Sequence, residues 1–181
     1  MIEHVLVGVS LLLGLAGGFL IARSHLRRSR PDSVHRILLP FTGTEISRRA
    51  LDAALRLARA EGATLMPAYL AAVPLQLPLG CALPNEAGRA MPMLEAIEQR
   101  AASQGVAVDA RIERGRSYRH ALERLLEEEP VDRVVVPAHA NGGEGLNGDD
   151  LVWLLRQAPA EVLILRPAPD DERRLSVAPP A

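Results

Sequence analysis

The sequence predicts an α/β domain built on a doubly wound parallel sheet, preceded by one membrane-spanning helix. Three observations carry that expectation. Residues 5–22, VLVGVSLLLGLAGGFLIA, hold no charge. From residue 36 onward, short apolar runs alternate with longer segments whose apolar residues recur at helical spacing. The joints are short, and strand–helix alternation with short joints gives a parallel sheet covered on both faces. Right-handed crossovers then favour double winding. With 181 residues, 48% of them hydrophobic, the chain can form one ordinary domain plus an appendage.

The apolar run comes first. As a helix it would be roughly 27 Å long, close to the ~30 Å hydrocarbon core of a bilayer. A buried helix of a soluble protein rarely stays apolar all round for so long. Glu3 and His4 precede the run, and Arg23, Arg27, Arg28 and Arg30 follow it. A cleaved signal peptide has the reverse charge order, and arginines prefer the cytoplasmic side. The expectation is an uncleaved single-pass anchor over residues 1–24, in the inner (cytoplasmic) membrane, with the soluble domain in the cytoplasm. Ser10, Gly14, Gly18 and Ala22 recur every four residues and line one helix face. Such a face lets two membrane helices approach closely, although glycine is common in membrane helices generally. Residues 25–34 read as a basic juxtamembrane linker, either a topology signal or a contact for anionic lipid.

The soluble part follows in order. RILLPF (36–41) is a short apolar run bounded as a buried strand would be. Ile46, Ala50, Leu51, Ala54, Leu55 and Ala58 have helical spacing, with Thr42 and Glu45 at capping-box spacing before them and Gly62 as the stop. Residues 63–71 read as a second strand, with a local irregularity expected at Pro67, because an interior strand needs its N–H. Residues 72–88 read as a loop. A helix over 90–105 leads to an alternating strand at Val106, Val108, Ala110 and Ile112. A helix over 117–129, a strand over 131–138, a helix over 149–158 and the strand EVLILR complete the domain. Residues 169–181 read as a disordered tail.

Composition removes several function classes. The chain contains no lysine, so a Walker-type phosphate lysine and a Schiff base are excluded. All-arginine usage beside so much alanine fits a GC-rich genome. The net charge of −1 gives no global pull toward nucleic acid. The single cysteine, Cys81, rules out an intramolecular disulfide and reads as a small apolar loop residue. No Ser/His/Asp arrangement and no metal-ligand spacing stands out. His139 reads as a turn residue and His120 as a surface residue. Arg111, Arg114, Arg116 and Arg119 read as a solvated basic face.

RILLPFTGTEISRRALDAALRLARAEGATL resembles the opening of universal stress protein domains, a strand, a P-x-D-G-S/T-E turn and a helix. VDRVVVPAHANGG and LLRQAPAEVLILRP are similar to that family's later stations, in the right order. The likeness covers about residues 35–168. It implies a flavodoxin-like sheet of five parallel strands in the order 3-2-1-4-5, often dimerised through the final strand. Many members bind ATP through a G-x2-G-x9-G-[ST] loop, with an Asp at the tip of the first strand. Carried over residue by residue, the loop falls on Ala140, Gly143, Gly148 and Asp149, and the strand-tip Asp on Thr42, after Pro40. The spacer shrinks to four residues, Glu144 to Asn147.

The departures have physical weight. A helix start binds phosphate because its free N–H groups and the positive end of its dipole face the anion. Asp149 and Asp150 would occupy that start. At ~5 Å and an effective dielectric of ~20, two unit charges repel by about 3 kcal/mol, on the order of a hundredfold in affinity. Magnesium would offset part of this. One reading is therefore a plain turn in which Asp149 caps the helix. The other is a degenerate nucleotide site. The expected function is a membrane-tethered, homodimeric regulatory or adaptor domain in stress response, without catalysis or cofactor, with a membrane transporter as a candidate partner. The alternative is a switch that binds, or slowly hydrolyses, ATP with magnesium through the shortened loop.

Overall fold

The structure, a computed structural model, describes residues 35–137, residues 146–166 and the backbone of 174–176. The expected anchor, its small-residue face Ser10, Gly14, Gly18 and Ala22, and the basic linker lie outside the described residues. Among the described residues no helix is long and apolar enough to cross a membrane.

Eleven elements are described: β1 (Arg36–Phe41), β2 (Glu45–Ser47), α1 (Arg48–Glu61), β3 (Thr64–Ala72), α2 (Pro84–Ala102), β4 (Arg111–Gly115), α3 (Tyr118–Glu128), β5 (Arg133–Pro137), α4 (Gly148–Gln157), β6 (Glu161–Leu165) and β7 (Arg174–Ser176). Five strands form one parallel sheet in the order β4-β3-β1-β5-β6. These numbers differ from the expected 3-2-1-4-5 because the short strand β2, unforeseen from the sequence, lies outside this sheet yet takes a place in the count.

Alternation along the strands divides the core in two. Ile37, Leu39 and Phe41 of β1 face α1 and α2, where Leu51, Leu55, Met93 and Ile97 are buried. Leu38 joins Met66, Leu70, Val134 and Val136 on the opposite face, against Leu122, Leu125 and Leu126 of α3 and Leu154 of α4. Both faces of the sheet are thus covered, which is why the central strands β1, β3 and β5 are apolar along most of their length. Gly62 ends α1 in the left-handed conformation at φ +63°, as the sequence indicated.

Several local expectations need correction. Thr42 and Glu45 do not cap α1. Ser47 does, accepting from the Ala50 N–H at 3.3 Å, while Glu45 is drawn into β2. Helix α2 begins at Pro84, inside the segment read as loop, because proline suits a first helical position even where prolines and glycines cluster. The strand expected to start at Val106 starts at Arg111, with only an isolated bridge at Val108. The tail expected to be disordered supplies β7, which pairs antiparallel with β2 from Glu45↔Ser176 to Ser47↔Arg174. Pro67 sits inside an unbroken β3, in register with Leu39. Its irregularity appears on the β4 side: Leu65 exchanges backbone bonds with Ala107 and Asp109, and the regular ladder starts only at Ala68↔Arg111. Strand alternation turns the missing N–H of residue 67 toward that interruption.

Candidate functional site

The regular ladder between β1 and β5 is short. Their ladder holds only Ile37↔Arg133 and Leu38↔Val134, whereas β5 and β6 stay paired through Pro137↔Leu165. Pro40 explains where the β1–β5 ladder stops. The Arg36 carbonyl accepts from the Asp132 N–H on the β5 side at 3.1 Å. Alternation puts the nitrogen of residue 40 on the same side, where proline has nothing to donate. The carboxyl ends of β1 and β5 stand at the point where chain order reverses, the place where open α/β sheets take ligands.

Thr42 stands at the tip of β1, buried at 6% exposure, and Gly43 turns the chain with φ +67°. A left-handed residue is needed there, and glycine supplies it without strain. Phe41, just before, meets the Tyr69 ring edge-on, centroids 5.6 Å apart. The Tyr69 hydroxyl donates to Glu86 Oε2 at 2.6 Å. Burial and that carboxylate push the phenol above its ordinary range, so Tyr69 stays a donor.

On the β5 side, Ala140 and Gly143 (and His139) lie outside the described residues. Gly148 is the first residue of α4, and Asp149 follows it, exposed. Asp149 is not the cap. Asn147 caps the helix, its side chain accepting from the Asp150 N–H at 2.9 Å, while Asp150 Oδ2 accepts from the Asn147 N–H at 3.0 Å. This reciprocal pair is a capping box. It removes two backbone donors from the helix start and leaves those of Gly148 and Asp149, the second beside its own carboxylate. The signal was present in the sequence as Asn147 and Asp150 three apart.

Arg119 completes this end. Its guanidinium lies over the Trp153 ring at 5.3 Å, with Nε 3.8 Å from Asp150 Oδ1 and Nη2 3.5 Å from the Asp149 carbonyl. The basic face is thus more engaged than its sequence suggested. Arg111 pairs with Asp109 at 3.0 Å and with Glu129 at 3.4 Å. Arg116 Nη1 donates to the carbonyls of Pro74 at 2.7 Å and Leu77 at 2.8 Å. His120 accepts from the Arg116 N–H through Nδ1 at 3.1 Å, so it supports the β4–α3 turn. Cys81 is half-buried. Among the described residues no group of three His, Cys, Asp or Glu side chains could hold a metal ion.

The model of the universal stress protein family matches residues 33–166. A universal stress protein family structure from Burkholderia pseudomallei aligns with TM-score 0.57 and 24% identity over 75% of this chain and 98% of its own. A universal stress protein in complex with cAMP aligns with TM-score 0.59 and 22% identity over 74% and 98%. A family protein from Arabidopsis thaliana with AMP bound aligns with TM-score 0.53 and 16% identity over 76% and 94%. At these identities the structures share the fold. No curated protein sequence matches the chain.

Proposed function

Because the chain belongs to the universal stress protein family, we propose that it is a regulatory or adaptor domain of a stress response that does not hold a nucleotide triphosphate. The Asn147–Asp150 capping box carries this reading, with the exposed Asp149 between its two members. A phosphate chain arriving there would find two donors taken, those of Asn147 and Asp150, and a carboxylate of like charge. The uncharged run over residues 5–22 supports a tether to the membrane, where a partner such as a transporter would be met. Carbonate extraction of membranes checks the tether: the chain stays in the pellet if residues 5–22 span the bilayer and enters the supernatant if they do not.

A homodimer belongs to the same proposal. Among the described residues, strand β6 pairs on one side only, with β5. Val152, Leu155 and Ile164 on α4 and β6 are exposed at 46%, 61% and 37%. Unpaired strand edges flanked by apolar side chains are natural association sites. Ile164→Lys with Leu155→Glu should turn a dimer into a monomer in light scattering. A wild-type chain that is already monomeric removes this part of the reading.

A second reading keeps a smaller ligand. Thr42 stands at the tip of β1 where strand order reverses, and the structures with cAMP and AMP support a nucleotide with a short phosphate part. Equilibrium dialysis of the full chain against ATP with magnesium, AMP and cAMP separates the readings. ATP unbound up to millimolar supports the first. ATP bound at micromolar concentration or tighter overturns it in favour of the ATP switch. AMP or cAMP bound without ATP selects the second.

A further inference from the structure

The four helices differ in charge. Helix α1 holds four arginines against two acids, whereas α2 and α3 each hold three acids against two arginines, and α4 holds two acids against one arginine. On a chain of net charge −1, positive charge is thus gathered on one element. At 3.6 residues per turn, Arg48, Arg49, Arg56 and Arg59 fall within about 100° of one another. They lie on the face away from the buried Ala50, Leu51, Ala54, Leu55 and Ala58, and all four are exposed. Both acids of the helix are already matched. Asp52 accepts from Arg100 of α2, at 2.9 Å from Nε and 2.6 Å from Nη2, and Glu61 pairs with Arg133. Among the described residues Arg48, Arg56 and Arg59 make no ion pair.

This arrangement works against the helix that carries it. Arg48 and Arg49 stand in a first turn that holds no acid, at the positive end of the helix dipole. Arg56 and Arg59 are like charges three residues apart on one face. A layer of anions outside the helix would relieve both repulsions. The row from Arg48 to Arg59 runs roughly 16 Å along a convex helix. It therefore suits a surface that presents many anions rather than one small ion.

We propose that the outer face of α1 docks on an anionic lipid surface, with its arginines among the headgroup phosphates and carboxylates. Two features favour lipid over an acidic polypeptide. On the tether reading, the uncharged run over residues 5–22 holds the chain at a bilayer, and Arg23, Arg27, Arg28 and Arg30 follow that run. The stretch from Ala22 to His35 reaches at most about 43 Å, so the lipid surface stays within range of the domain. The choice of lipid rests on the tether, whereas the gathering of charge on α1 does not.

The full chain is mixed with vesicles of phosphatidylcholine, alone or with phosphatidylserine, and arginine modification by phenylglyoxal is read residue by residue by mass spectrometry. With phosphatidylserine present, Arg48, Arg56 and Arg59 should react at least about fivefold more slowly than on neutral vesicles. Arg156, exposed on α4 across the sheet, should not change. Arg56→Glu with Arg59→Glu should remove the slowing at Arg48. No slowing at the three arginines, or equal slowing at Arg156, overturns the proposal. Polyglutamate is the rival probe: slowing with it but not with the vesicles gives the face to an acidic polypeptide and overturns the lipid assignment. Flotation with neutral vesicles reads the tether by itself. If the chain does not float with them, the tether fails, and flotation with the phosphatidylserine vesicles then decides α1. The double variant should weaken that flotation at least about tenfold. Equal flotation of wild type and variant, or none by either, overturns the docking.

Discussion

Helices α4 and α2 both begin at the carboxyl edge of the sheet, on either side of β1, and they begin in different ways. α4 is closed by its own side chains: Asn147 and Asp150 satisfy each other's backbone within one turn. α2 starts after an uncapped leucine and leans on Tyr69, 17 residues earlier in the chain. A helix start satisfied locally resists both fraying and an incoming anion, because the same N–H groups serve both. A start held through tertiary contacts depends on residues distant in the chain. This end of the sheet thus has one lip closed by its own side chains, at α4, and one secured through a distant residue, at α2.

The largest test of this contrast lies within α2. Ile97→Ala, in the packed half, should cost about 2–5 kcal/mol in urea unfolding. Met91→Ala, in the outer half, should change stability by less than about 0.5 kcal/mol. Similar costs at the two positions would erase the distinction between the halves.

The next test concerns the closed lip. Asn147→Ala should cost about 1 kcal/mol, with faster amide exchange confined to the first turn of α4. A comparable effect comes from alkaline pH at the other lip. The folded chain holds the Tyr69 proton above the ordinary phenol value of 10.0, where the unfolded chain releases it. The folded state then binds more protons, so stability falls as pH rises past about 10, by up to about 1.4 kcal/mol per pH unit. Unfolding curves from pH 9 to 11 should show this fall in the wild type and lack its Tyr69 part in Tyr69→Phe.

The smallest effect serves as a control away from both lips. Burial, then Glu128, raises the Glu113 carboxyl on β4. The unfolded state gives up this proton first, so the group opposes folding as pH rises above its unfolded value. Glu113→Gln should therefore raise the unfolding free energy slightly at pH 7, by well under about 1 kcal/mol, and leave it unchanged near pH 4.

What the sequence made legible follows from where the stabilising contacts lie. Strands and helices whose apolar residues repeat locally could be read directly, as in β1, α1 and α3. So could the stop at Gly62, because its cause is one residue's backbone. The β2–β7 ladder could not, since Glu45–Ser47 and Arg174–Ser176 are short, polar at their ends and distant in the chain. The first turns of α2 were hidden behind Pro84, Gly88 and Pro92, which look like loop residues until Tyr69 supplies the missing support. Arg116 looked like a solvated charge because nothing local shows that its guanidinium reaches backbone carbonyls some forty residues earlier. At the site itself the acidic character of the α4 start was legible. The division of labour was not: Asn147 caps, Asp150 returns the bond and Asp149 faces solvent.

Calorimetric titration of the full chain with magnesium ATP, beside its Asp149→Asn variant, tests the closed lip most directly. The account predicts no heat of binding for the wild type up to millimolar ATP, and at least about a tenfold stronger response once the charge is removed. Micromolar binding by the wild type, unchanged by the substitution, would contradict it.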